Sequence, residues 1–258
     1  MTDAVDPTAR FSGRAGDYVK ARPGYPSGVL AVLREACGLH AGTVVADLGS
    51  GTGIFTHLLL ESGATVHAVE PNADMRAEAE RALGSRPGFR SVGASAEATT
   101  LEPGSVDLVT AAQAFHWFDP ARVKAEMIRI LRGDGVVALV WNDRDLGSTP
   151  FLRGYEELLS TRCPKYAALQ GKADTPVKFD ALFGPGGWKK HVVPNEQRLD
   201  REGLVARLAS SSYAPKPGDP THAATFGELE ALFDRYAEGG EVVMTYTVVV
   251  IVGRPART

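Results

Sequence analysis

The sequence predicts a doubly wound α/β fold, a largely parallel sheet with helices on both faces. Three observations carry this. Between residues 43 and 142, short β-branched runs alternate with helical segments at a regular beat. Those runs are rich in valine without a polar face, the pattern of strands buried on both sides. A glycine-rich turn follows the first of them, where such a fold opens a helix.

Each element then has its own signal. Thr43–Asp47 (TVVAD) is the first strand, and Ile54–Ser62 the helix after the glycine turn, stopped by Gly63. Ala64–Glu70 is the second strand. Asn72 can cap the following helix, ADMRAEAERAL, which ends near Gly84. Phe89–Ala94 and Val106–Ala112 read as strands three and four. Asp119-Pro120 supplies a cap and a first-turn proline for a helix over Ala121–Arg132, and Gly135–Trp141 is strand five. The beat is then lost. Phe151–Thr161 reads as a helix, residues 183–187 as a loop, and Trp188–Pro194 as a strand. Asp200–Ser210 is a capped helix and Tyr213–Pro220 a loop. Phe226–Glu238 is a helix and Val242–Val252 a long last strand. One domain is expected: residues 1–26 an N-terminal lid, 27–142 a ligand-binding core, 143–225 a substrate lid or insertion with strand six, and 226–258 the final helix and strand.

Bulk properties narrow the function classes. The 258-residue chain has a formal net charge of −3 and a pI near 6.1. That disfavours a nucleic acid partner, because such binding rests on a basic surface. The basic residues Lys189-Lys190 and Arg254–Arg257 are too few to change this. Cys37 and Cys163 form no metal or redox motif, and no metal site is expected. The N-terminus lacks an apolar stretch, and the most apolar run, Thr245–Gly253, is too short to span a bilayer. The expectation is a cytoplasmic protein, away from membranes, acting as a monomer or homodimer.

In doubly wound folds ligands sit at the carboxyl ends of the strands, so functional residues are expected just after strands one to four. Asp47-Leu-Gly49-Ser50-Gly51-Thr-Gly53 occupies the first of these positions. Its glycines permit a tight turn and close approach of a ligand to the backbone, and the helix behind offers free N–H groups. Glu70 ends strand two, 17 residues after Gly53. An acid there accepts hydrogen bonds from both ribose hydroxyls of an adenosine. These features suit either a dinucleotide or S-adenosylmethionine (SAM). Three details favour SAM. Ile54 is large where a pyrophosphate fingerprint wants a small residue. Asp47 would repel a pyrophosphate but suits an ammonium and a sulfonium. The chain closes with a helix and a long strand, not a second nucleotide-binding half.

With these residues in view, the sequence resembles the class I SAM-dependent methyltransferases, in the small-molecule branch called type 11. The resemblance covers about residues 11–142. VVADLGSGTG is similar to the family's first motif. VHAVEPNADM is similar to the second, with Pro71 after the acid and Met75 packing on the adenine. GASAEATTL is similar to the third, with Ser95 where the family usually has an aspartate, and Ala96 able to donate a backbone bond to the adenine. VDLVTAAQAFHWFD is similar to the fourth, with Gln113 lining the methionine moiety. FSGRAGDYVKARPGYP resembles a segment that folds over the cofactor, with Tyr18 and Arg22 near the methionine end and Phe11 toward the substrate. The resemblance implies a Rossmann-like seven-stranded sheet whose last strand is antiparallel. It also implies an enzyme that turns SAM into S-adenosylhomocysteine (SAH).

Methyl transfer from a sulfonium is an in-line displacement. The enzyme's main task is to hold a nucleophile on line in a dry pocket, and this can supply roughly 7–11 kcal/mol at the extreme. His116, after strand four, is the candidate general base; its alternative is local packing. Trp117, Trp141, Asn142 and Tyr213 are candidate substrate contacts, each with packing as its alternative. The expected acceptor is a small molecule, aromatic or carboxylate-bearing, methylated on oxygen, or else on nitrogen or carbon. Strand four is followed by AQAFHW and not by the proline-rich motif of nucleic acid amino-methylating enzymes, and Cys163-Pro164 reverses the order a cytosine-C5 enzyme needs. Two rivals stay open: an NAD-dependent oxidoreductase of the same fold, and a SAM-binding protein without catalysis.

Overall fold

A computed structural model describes residues 22–166 and 176–257. Seven strands form a single sheet in the order β3-β2-β1-β4-β5-β7-β6. They are β1 (Val44–Leu48), β2 (Thr65–Val69), β3 (Phe89–Val92), β4 (Val106–Ala112), β5 (Leu131–Arg144), β6 (Trp188–Leu199) and β7 (Val242–Gly253). The neighbours among β1 to β5 pair in parallel, whereas β7 runs antiparallel between β5 and β6. The expected sheet and its reversed last strand are therefore present. The reversal of strand order falls between β1 and β4, so the crevice opens over their carboxyl ends.

Strand alternation sorts the core into two layers. On β5, Ala138 and Val140 face one side, while Val137, Leu139 and Trp141 face the other. The first side is covered by α1 (Gly28–Cys37), α2 (Ile54–Leu60) and α3 (Ala73–Leu83), which contribute Leu33, Leu59 and Leu83. The second is covered by α4 (Pro120–Ile130) and α6 (Pro176–Phe183), through Val123, Met127, Phe179 and Leu182. A third cluster joins α5 (Pro150–Arg162), α7 (Arg201–Ala209) and α8 (His222–Tyr236) to the first half of β7.

The caps behave as the sequence predicts. The side chains of Asn72, Asp119 and Asp200 each accept a backbone N–H of the helix they precede. Four elements differ from expectation. Helix α1 was not foreseen, although it ends on Gly38 in the left-handed conformation with two backbone bonds back to Leu33 and Arg34. Strands β5 and β6 run well beyond their expected bounds, because β7 pairs with them along nearly its whole length. Residues 176–183 were expected in an insertion above the ligand edge. They instead form α6, whose Phe179, Leu182 and Phe183 complete the second core layer.

Candidate active site

A cavity of about 900 Å³ lies over the carboxyl ends of β1, β2, β4 and β5. Its first half is built by the β1–α2 turn and the end of β2. Gly49, Gly51 and Gly53 have φ of 66°, 56° and 84°. Side chains are strained in that region, so glycine is what lets the turn close. Close approach adds a second constraint at Gly49. A Cβ there would stand 2.7 Å from the Cβ of Ala114 and 3.2 Å from the ring of Phe118. The turn is tied to β2 by the amides of Gly49 and Ser50, which both donate to the carbonyl of Val69.

Glu70 closes this half. It is buried, with Oε1 accepting the Asn72 amide at 2.8 Å and Oε2 the Gly51 amide at 3.0 Å. Burial raises its pKa, against the opposing effects of those two amides and of Arg76. Asp47 lies deeper, only 1% exposed. The hydroxyls of Thr56 (2.6 Å) and Thr110 (2.8 Å) each donate to one of its carboxylate oxygens. Burial nonetheless lifts its pKa to about 6, above what the two hydroxyls restore. The side-chain oxygens of Ser50 and Thr52 are buried beside the turn without a hydrogen-bond partner, which suits a polar ligand that would supply one.

The adenine end, as the resemblance assigns it, has Met75, Ser95 and Ala96 on the wall, with Pro71 at the rim. Gln113 follows β4 with φ 56°, unusual for a residue with a side chain, and its amide donates to Val140 at 2.8 Å. His116 and Trp117 follow in a single 3-10 turn, Phe115–Trp117, with their rings 4.9 Å apart.

The second half of the cavity is formed by Trp141 and Asn142 of β5, Phe179, Trp188 and Lys190, and the stretch Arg207 to Tyr213. The ring of Trp141 lies 5.6 Å from that of Phe179. Asn142 donates to the carbonyl of Gly24 at 3.2 Å and accepts from Asn195. Arg22 lines the same wall and donates to the Ser210 carbonyl at 3.1 Å.

Of the residues singled out in the sequence, the structure brings Arg22, Asp47, Gly49, Ser50, Gly51, Glu70, Pro71, Met75, Ser95, Ala96, Gln113, His116, Trp117, Trp141, Asn142 and Tyr213 to this one cavity. Phe11 and Tyr18 lie outside the described residues. At Gly53, between the cavity-lining Thr52 and Ile54, the lack of a side chain also serves packing, since a Cβ there would meet Leu83 of α3 at 2.7 Å. The Asp47 carboxylate, foreseen for contact with a ligand cation, is engaged by its two threonine partners. Phe179, Lys190 and Arg207 were missed. Arg207 had a visible signal: it sits in the apolar stripe Leu204, Arg207, Leu208 of α7, where a charge is out of place.

Comparison with known proteins agrees with this geometry. A family model described as a methyltransferase domain matches residues 46–139. An uncharacterized methyltransferase of Mycobacterium tuberculosis is 41% identical over 213 residues, 81% of this chain and 79% of the relative. An uncharacterized methyltransferase of Schizosaccharomyces pombe is 33% identical over 160 residues, 62% of this chain and 60% of that one. Among solved structures, a protein put forward as a type II methyltransferase of Anaeromyxobacter dehalogenans superposes with a TM-score of 0.65 at 25% identity, covering 90% of this chain and 97% of the other. Phosphoethanolamine N-methyltransferase 2 of Haemonchus contortus, in complex with SAM, superposes with a TM-score of 0.56 at 15% identity. That match covers 98% of this chain and 61% of the other, and the likeness is one of fold. The chain belongs to the class I SAM-dependent methyltransferases, in the type 11 family. It is an enzyme of SAM-dependent methylation, and the oxidoreductase and non-catalytic alternatives are set aside. No helix among the described residues is long and apolar enough to cross a membrane.

Proposed function

We propose that this enzyme transfers the methyl group of SAM to an oxygen of a small-molecule acceptor held in the second half of the cavity. The observation that carries the reading is the cavity itself. Its volume of about 900 Å³ is near the top of the roughly 300–1,000 Å³ usual for small-molecule sites. One end carries acids and the other aromatic walls. In this reading Glu70 accepts the ribose hydroxyls, Met75 and Ala96 hold the adenine, and Ser95 stands in for the family's aspartate. Gly49, Ser50, Gly51, Asp47 and Gln113 surround the methionine portion, Arg22 reaches it from the acceptor half, and Tyr18, assigned to the same end, lies outside the described residues.

Bound SAM supplies a methyl group already activated by its positive sulfur. The residues of this chain position, desolvate and accept a proton. Trp117, Trp141 and Tyr213 exclude water and align the acceptor, which is where most of the rate advantage of such a transfer arises. His116 takes the proton from an acceptor hydroxyl. His116→Ala should then lower the rate about 100-fold or more, with partial rescue at high pH and little change in SAM affinity. Residues 27–142 act as the cofactor half of a single domain, and side chains from 176–213 wall the acceptor. The formal charge of −3 supports an acceptor other than nucleic acid; in this reading the enzyme is cytoplasmic and works as a monomer or homodimer.

The test is calorimetric titration with SAM, SAH and NAD in turn, followed by transfer of labelled methyl from SAM to a panel of phenols and small acids. Micromolar binding of SAM and SAH without NAD, and labelled product from an oxygen acceptor, are expected. Labelled protein or RNA in place of small-molecule product would overturn the acceptor class.

A further inference from the structure

The second half of the cavity contains a buried charge with no ion-pair partner among the described residues. Arg207 is only 6% exposed, between Leu204 and Leu208 at 1% and 0%. Burying a cation is costly unless a carboxylate or an equivalent set of acceptors compensates it. Arg207 has only neutral partners: the Tyr246 hydroxyl at 3.4 Å and the Ser211 hydroxyl at 3.2 Å. Among the described residues it forms no ion pair.

Its neighbour Arg144 is the internal control. That arginine pairs with Glu156 at 2.5 Å, donates to the Tyr166 hydroxyl at 3.0 Å, and stacks over the ring of Tyr155. The two guanidiniums flank the same tyrosine, whose own hydroxyl is buried without a partner. The arginine paired with a carboxylate does not line the cavity, and the one without a carboxylate does. Arg22 and Lys190 line the same end, with Asp143 as its carboxylate. A guanidinium stays protonated throughout the working pH range, so Arg207 is a buried cation.

We infer that Arg207 anchors a carboxylate carried by the acceptor, whose apolar body lies against Trp141 and Phe179. A guanidinium presents two parallel N–H groups that match a carboxylate, and in a dry wall such a pair is both strong and directional. This rests on the reading of the cavity's second half as the acceptor site. It narrows the acceptor class to acids with an aromatic or aliphatic body, and makes Arg207 a specificity-determining residue.

The experiment measures binding of benzoate, trans-cinnamate and hexanoate, and of the matching neutral amides, to the full chain saturated with SAH. Wild type should bind at least one acid ten times or more tighter than its amide. Arg207→Met should abolish that preference while its SAH affinity stays within twofold, and Arg207→Lys should keep part of it. Equal binding of acids and amides, no binding by any acid, or a preference that survives in Arg207→Met overturns the inference. Should Arg207→Met not fold, Arg207→Gln makes the same comparison. Failure of wild type to bind SAH would instead overturn the functional reading itself, so the two failures are distinguishable.

Discussion

The two halves of the cavity are built on different principles. The cofactor half is made almost entirely by backbone: a glycine turn in left-handed conformations, amides tied to the end of β2, and two buried carboxylates held by local donors. The acceptor half is made by side chains from distant elements, β5, α6, β6 and the stretch after α7. Their charges also differ: Asp47, Glu70 and Glu97 line the first, and Arg22, Lys190 and Arg207 the second, where Asp143 is the carboxylate. A cationic cofactor fits the acidic end and an anionic acceptor the basic one. The contrast also explains how one fold can keep its methyl donor while its acceptor varies. Backbone geometry tolerates little change, whereas walls of side chains can be exchanged singly.

The hardest test of the backbone half is Gly49→Val. The left-handed backbone costs a β-branched residue about 1–2 kcal/mol, and contact with Ala114 and Phe118 adds about 1–3 kcal/mol. Thermal unfolding should show that loss, and SAM affinity should fall at least about 100-fold. An unchanged affinity would mean that the turn's close approach has nothing to do with the cofactor. Glu70→Ala should come next, at about 1.5–3 kcal/mol or roughly 10- to 150-fold in SAM affinity by calorimetry. A folded variant that binds SAM normally would remove Glu70 from the site.

The same contrast governs what could be read in the sequence. The strand-turn-helix beat and the spacing from Gly53 to Glu70 are local, so the residues assigned to the cofactor half could be picked out from the sequence, and most of the described ones line one cavity. At Gly53 one dihedral requirement serves both ligand approach and helix packing, and only the position of Leu83 reveals the second. The acceptor half depends on which distant segments meet. Phe179 reaches it from α6, a short helix of eight residues whose apolar stretch PVKFDALF has no strong start or stop signal. Arg207 was detectable as a charge in an apolar stripe, but its missing counterion exists only in three dimensions.

A pH series sharpens the electrostatic side. Burial raises the Asp47 pKa from 3.8 to about 6, so the folded protein holds a proton that the unfolded chain has released between those values. Stability from this group therefore declines as pH rises through that window and levels off above about 6. Glu70 is shifted in the same direction. A cationic ligand favours the carboxylate form, so SAM should bind more tightly as pH rises and release protons near pH 6. Lowering the Asp47 pKa by about one unit on binding would tighten the affinity about fivefold between pH 5 and 7. Asp47→Asn should flatten both curves, and a pH-independent SAM affinity in wild type would remove Asp47 from contact with the ligand's charge.

The smallest effect divides scaffolding from contact within the acceptor half. The Asn142 amide is already engaged: it donates to the Gly24 carbonyl at 3.2 Å, to which Asn195 also donates at 2.9 Å. This ties β5 and β6 to the segment leading into α1. If that is its main work, Asn142→Ala should lower stability by about 0.5–1.5 kcal/mol, a few degrees at most in Tm for a chain of this size. SAM affinity should stay within twofold, with only a modest rise in acceptor KM. A substitution that leaves Tm untouched but raises acceptor KM tenfold or more would show the opposite. Asn142 would then turn its amide to the acceptor in the working complex, and the side-chain half of the cavity would rearrange on binding where the backbone half does not.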